Sequence, residues 1–185
     1  MEGKDNPVCP VEKAGGLDNK IRRLFQNPKK ILRKYVNGGM TVLDLGCGPG
    51  YFSIAMAEMI CESGLVIAAD LQEGMLDKLK DKVKGTQLEK RISTHRTKEN
   101  EIGISNNVDF ILAFYMLHEI PNQENALKEI KSILKPNGIF FLVEPKYFHV
   151  SKDEFKKNVN KAIELGFRVV ERPRIFFSRA VVLKK

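Results

Sequence analysis

The chain has 185 residues, 43% hydrophobic and 29% charged, with a formal net charge of +8 at pH 7. That length and balance fit one globular domain with a full core. No apolar stretch approaches the roughly 20 residues that span a bilayer, and Met1–Pro7 lacks the apolar centre of a signal peptide, so membrane insertion is excluded and a cytoplasmic location is expected.

Residues 1–16 are irregular and rich in Gly and Pro, and carry Cys9 within Pro7-Val-Cys-Pro-Val11. Leu17, Ile21, Leu24 and Phe25, then Ile31, Leu32 and Tyr35, recur at helical spacing, with Asn27-Pro28 dividing two helices and Asn37-Gly38-Gly39 stopping the second. This predicts an N-terminal segment over 1–36 that serves as a lid, followed by a main domain over 37–185. Strands are expected near 41–45, 65–70, 91–95, 108–113 and 138–144, and helices near 50–62, 73–84, 122–135 and 151–165. Gly166 ends the last helix. Phe167–Glu171 and Ile175–Leu183 then read as two further strands, broken by Arg172-Pro173-Arg174. Parallel strands need helical crossovers, which the intervening segments supply, so the pattern gives an α/β sheet of seven strands, mostly parallel, closed by an antiparallel hairpin.

The most informative stretch is Met40–Gly50. An apolar run (Val42, Leu43, Leu45) ends in glycines at 46, 48 and 50, and a helical pattern follows from Tyr51. Glycines at such a turn bring backbone N–H groups close to a ligand. Asp70 ends the second apolar run, about 20 residues on, where a carboxylate can accept hydrogen bonds from ribose hydroxyls. Its plain alternative is a helix N-cap before Gln72-Glu-Gly. A dinucleotide site uses G-x-G-x-x-G with a pyrophosphate at the helix start, whereas this loop is G-x-G-x-G with Asp44 inside the strand. A carboxylate there repels phosphate and suits an ammonium group. The residue types therefore favour S-adenosyl-L-methionine over NAD.

Val42-Leu-Asp-Leu-Gly-Cys-Gly-Pro-Gly50 resembles motif I of the class I S-adenosylmethionine-dependent methyltransferases. Asp70-Leu71, Val108–Ala113 with Leu117-His-Glu-Ile-Pro121, and Leu134–Val143 follow it in the family's order, and the likeness covers roughly residues 36–145. It is nearest to the small-molecule branch, which includes quinone-biosynthesis and arsenite methyltransferases. The resemblance implies a Rossmann-like, doubly wound sheet with helices on both faces. It also implies that Asp44 holds the methionine ammonium, that Gly46, Cys47, Gly48 and Gly50 make the close turn, and that Asp70 binds the ribose diol. Leu71 and Met75 would flank adenine, and Phe114 would begin the methyl-transfer face. Where family members often carry an Asp for the adenine amino group, this chain has Thr97.

Methyl transfer from a sulfonium is an in-line displacement, so the protein chiefly aligns the reactants and excludes water, adding a base only for an acceptor that arrives protonated. His118 and Glu119 are the base candidates; packing at a strand–helix junction is the plain alternative for His118. Tyr115 and His149 would edge the acceptor pocket, with Tyr147 beside them, and His95 would lie at the cofactor's rim. Three separated histidines show no metal-ligand spacing, and Cys9, Cys47 and Cys61 lack the pairs of structural zinc. Cys9 reads either as a surface cysteine or as a thiolate that binds a soft metalloid or bridges to Cys47. Cys47 reads as a small apolar loop residue, and Cys61 as core or partly exposed.

The leading function is methylation of a small-molecule acceptor: a quinone precursor, a thiol or an arsenical. The positive charge raises nucleic acid or protein as a second acceptor class. However, the basic runs Lys78–Lys98 and Lys152–Lys161 are mixed with acids, and Phe114-Tyr-Met-Leu stands where amino-methylating enzymes carry Asn/Asp-Pro-Pro-Tyr/Phe. Nucleic acid is therefore not favoured. A cofactor-binding regulatory domain without chemistry is the third reading.

Overall fold

The structure is a computed structural model that describes residues 25–105, 107–146 and 150–185. Most of the expected lid, with Cys9, lies outside the described residues, as do Tyr147 and His149.

The elements in chain order are α1 (Pro28–Leu32), β1 (Thr41–Leu45), α2 (Tyr51–Met59), β2 (Leu65–Asp70), α3 (Glu73–Val83), β3 (Ile92–Arg96), β4 (Val108–Phe114), α4 (Gln123–Ile133), β5 (Leu134–Pro145), α5 (Lys152–Glu164), β6 (Arg168–Glu171) and β7 (Ser178–Lys184). The seven strands form one sheet in the order β3-β2-β1-β4-β5-β7-β6. The first five run parallel, and β7 is antiparallel to both β5 and β6. Strand order reverses between β1 and β4, which opens a crevice at their carboxyl ends, the usual place for a ligand in such sheets.

Strand alternation divides the core in two. Leu43, Leu45, Ile67, Ile111 and Leu142 pack with Leu127 and Ile130 of α4 and Phe155 and Val159 of α5. Val42, Val66, Phe110, Leu112 and Phe141 face the other way, against Leu32 of α1 and Tyr51, Phe52 and Met56 of α2. The expected doubly wound arrangement is present, with helices on both faces. At the amino edge, Asp109 accepts from Thr41 N (2.9 Å) and pairs with Lys135 Nζ (2.8 Å), tying the starts of β1, β4 and β5.

Four boundaries differ from expectation. The helix from Pro28 ends at Leu32, and Tyr35 and Val36 reach the core from the following turn. α2 stops at Met59, three residues early, because Cys61 takes φ 61°; it is exposed, not a core residue. β5 begins four residues early: Leu134 pairs with Val108, and the Lys-Pro-Asn-Gly turn sits within the strand as a register shift, with Asn137 at φ 65°. Asn tolerates that left-handed conformation better than other non-glycine residues. β7 starts only at Ser178, since Ser178 N bonds back to Ile175 O.

Candidate functional site

The glycine loop leaves the carboxyl end of β1 and enters α2. Gly46, Gly48 and Gly50 all have positive φ (74°, 53° and 89°). At Gly46 an added Cβ would lie 2.6 Å from Met116 Cβ, so glycine is required by backbone conformation and by the residue packed above it. The loop is held from three sides. Gly46 N and Cys47 N donate to Ala69 O of β2 (2.8 and 3.0 Å), Lys82 Nζ of α3 donates to Pro49 O (2.8 Å), and Gly48 N donates to Asp70 Oδ2 (2.8 Å).

Asp70 therefore has a role beyond the expected ribose contact. Its second oxygen, Oδ1, accepts from Gln72 N (2.9 Å), and Gln72, not Asp70, is the N-cap of α3. Burial pushes the Asp70 carboxyl up, against the opposing pull of the Gln72, Gly48 and Leu71 backbone groups. Asp44 is 1% exposed, and its Oδ2 accepts from Ser53 Oγ of α2 at 2.5 Å. Cys47 registers both acids. Burial is the largest cause of its raised pKa, and the charges of Asp44 and Asp70 push the thiol higher still. Burial and the two neighbouring acids disfavour a thiolate at Cys47, in keeping with its reading as a small apolar loop residue.

The other expected cofactor residues gather less uniformly. Leu71 is half-buried at the end of β2, and Met75 is buried on α3. Thr97 follows β3, with its backbone N–H bonded to Asp70 O (3.0 Å), which places it beside Asp70. His95 Nε2 bonds Ile102 O at 2.8 Å. Phe114 is buried, its ring 4.4 Å from Phe52, inside the core layer that carries α2.

Beyond β4 the chain turns sharply. Tyr115 has φ 62°, strained for a non-glycine residue, and its N–H is held by Val143 O (2.8 Å). Its hydroxyl lies 2.5 Å from Ser178 Oγ and accepts from Gln26 Nε2 (2.7 Å), linking the segment before α1 to the start of β7. A short 3-10 turn, Leu117–Glu119, follows. Here His118 meets Glu144 of β5: Nδ1 lies 2.6 Å from Oε2, and the His118 backbone N–H donates to Oε1 (3.1 Å). The Glu144 side chain is 0% exposed and that of His118 12%.

Glu144, Ser53, Gln26 and Ser178 were not singled out by sequence. The first had a visible signal: an acid following the apolar run Phe140–Val143 in a buried parallel strand needs a partner. The remaining three gave none, because short polar residues in helices and turns are common. Among the described residues no cluster of three or more His, Cys, Asp or Glu is placed to hold a metal, and no helix is long and apolar enough to cross a membrane.

The family described as Methyltransferase domain matches residues 36–172. Demethylmenaquinone methyltransferase of Lactobacillus johnsonii is 33% identical over 118 residues, which are 63% of this chain and 48% of that protein. The Bacillus cereus enzyme of that name is 32% identical over 110 residues, 59% of this chain and 46% of its own. The chain thus spans about half the length of the curated relatives it matches. The crystal structure of a SAM-dependent methyltransferase from Aquifex aeolicus superposes with a TM-score of 0.84 at 27% identity, covering 96% of this chain and 99% of that one. A SAM-dependent O-methyltransferase from Thermotoga maritima shares the fold at TM-score 0.69 and 20% identity, over 86% of this chain and 64% of its own.

Proposed function

We propose, since this chain belongs to the methyltransferase domain family, that it transfers a methyl group from S-adenosyl-L-methionine to a small-molecule acceptor. The carrying observation is the pair of buried carboxylates at the carboxyl ends of adjacent strands, Asp44 and Asp70, around a glycine loop. Two acids there disfavour a pyrophosphate and suit a cationic nucleoside.

The residues fit that cofactor. Asp70 would accept from the ribose hydroxyls while it fixes the loop through Gly48. Asp44, already bonded to Ser53 and almost wholly enclosed, would act on the methionine ammonium through its field or through a water molecule. Gly46, Gly48 and Gly50 would provide the close backbone approach, and Leu71, Met75 and Thr97 the adenine side. The cofactor supplies an activated methyl group whose leaving group needs no protonation, so alignment and exclusion of water are the protein's main tasks. His118 would serve as general base toward an acceptor that carries a proton.

The demethylmenaquinone methyltransferases among the relatives favour a quinol as acceptor. The test is transfer of radiolabelled methyl from the cofactor to quinols, thiols, arsenite and RNA, each offered separately. Label in a quinol or another small acceptor is the expected result. Label in RNA alone would overturn the small-molecule assignment, and label in none would favour a regulatory domain.

A further inference from the structure

We propose that Glu144 is a positioning residue that fixes His118 in one orientation and one tautomer, so that the acceptor is a weakly acidic X–H compound, phenolic O–H or thiol S–H, whose proton His118 removes. This rests on the methyltransferase reading above and names its acceptor class.

Each Glu144 oxygen reaches His118. Oε1 takes the His118 backbone N–H and Oε2 faces Nδ1 at 2.6 Å, a two-point clasp that sets ring direction as well as position. With the Nδ1 proton directed at the carboxylate, the neutral imidazole keeps its acceptor lone pair on Nε2. Glu144 is fully enclosed, between Val143 and Pro145 at the carboxyl end of β5. A buried carboxylate disfavours folding unless it is paired, so packing alone would be served by an apolar side chain. The segment that leads into the clasp packs against the glycine loop. Met116, two residues before His118, packs so closely on Gly46 that no side chain fits there. The preceding backbone is pinned by Val143, the neighbour of Glu144 on β5.

Electrostatics agree. Burial pulls the His118 pKa down, but the Glu144 hydrogen bond and the charges of Glu144 from β5, Glu119 from its own turn and Glu154 from α5 together hold it above the ordinary histidine value. Burial raises Glu144, and His118 with the Leu117 backbone N–H opposes that rise. In the transfer, the acceptor gives its X–H proton to His118 Nε2, and the electron pair so released forms the bond to the methyl carbon. That bond forms from sulfur or oxygen directly or, in a quinol, from the ring carbon, whose proton then moves back to the oxygen. The carbon–sulfur bond breaks with its pair remaining on sulfur, and His118 returns the proton to water. The base acts only when neutral, so the rate rises with pH through the raised His118 pKa.

The experiment is an NMR titration of the His118 imidazole in the full chain, with pH–rate profiles for a naphthoquinol and a small thiol. Wild type is expected to show the Nδ1–H tautomer when neutral and a midpoint above the usual histidine value. Glu144→Gln should move that midpoint and the ascending kcat limb to lower pH and reduce the plateau at least about tenfold. Glu144→Asp should restore part of each. An Nε2–H tautomer in wild type overturns the proposal even if the Gln variant fails to fold, and so does a Gln variant that leaves both midpoint and limb in place. Calorimetry with the cofactor on the same proteins separates the two readings: intact binding with an unmoved histidine removes only the clasp, whereas absent binding in wild type removes the methyltransferase assignment itself.

Discussion

Replacing Asp70 by Asn isolates the loop-holding bonds of this carboxylate from its proposed contact with the ribose. The substitution keeps the volume and one acceptor oxygen, but turns an NH2 group toward either Gly48 N–H or Gln72 N–H, each now within 3 Å of a carboxylate oxygen. One backbone donor is left without its acceptor, which costs about 1–3 kcal/mol. A gain offsets part of this, because burial outweighs the backbone bonds at Asp70 and holds its pKa above the ordinary carboxylate value. A raised pKa means that the carboxyl contributes its full stability below the unfolded pKa and loses some as pH rises through the folded one. The loss in unfolding free energy at pH 7 is therefore expected to be smaller than the cost of the lost backbone bond alone, and larger at acid pH. Cofactor affinity should fall much further. Hydrogen bonds from ribose hydroxyls to a charged acceptor contribute about 1.5–3 kcal/mol, or roughly a tenfold to 150-fold change in Kd. Urea unfolding at two pH values and isothermal titration read the two effects separately. Wild-type affinity in the Asn variant would refute the ribose role, whereas an equal loss in stability and affinity would reduce Asp70 to a loop strap.

Gly46→Ala combines left-handed strain of about 1–2 kcal/mol with overpacking of about 1–3 kcal/mol against Met116. Met116→Ala should relieve only part of it in chemical denaturation, because Met116 Cγ is removed but the Cβ at 2.6 Å remains. Burial, with the hydrogen bond to Glu171 and its charge, pushes the Tyr35 phenol from 10.0 up to about 12. Stability should then decline between those two pH values as the unfolded chain ionises first, and Tyr35→Phe should flatten that decline in pH-dependent melting. Alkylation at pH 8, read by peptide mass spectrometry, should label exposed Cys61 rapidly and leave Cys47 unmodified until the chain unfolds. Rapid labelling of Cys47 would contradict its assignment as an enclosed thiol.

What the sequence made legible follows from how locally each feature is determined. The glycine loop was readable because three positive-φ positions and an apolar strand lie within eleven residues, and each constrains the backbone without tertiary help. The mostly parallel sheet with its closing antiparallel hairpin followed from alternating patterns, since parallel strands need helical crossovers. Boundaries failed where a single residue decides them: Cys61 ends α2 by turning left-handed, and Leu134 joins β5 across a bulge that a Pro-Asn-Gly run appeared to forbid. The site was half legible. Asp44 and Asp70 stand in the motif, yet their bonds to Ser53 and Gly48 depend on folding. His118 was visible, but Glu144, 26 residues further along the chain, became its partner only because β4 and β5 are neighbours. Glu119, adjacent in sequence, contributes charge to the histidine while Glu144 takes its ring hydrogen bond.

Isothermal titration of the purified chain with S-adenosyl-L-methionine and, separately, with NAD tests the central claim most directly. Two acids around a glycine turn should give saturable binding of the sulfonium nucleoside and none of the dinucleotide. Uptake of NAD with no response to S-adenosyl-L-methionine would contradict the account at its base.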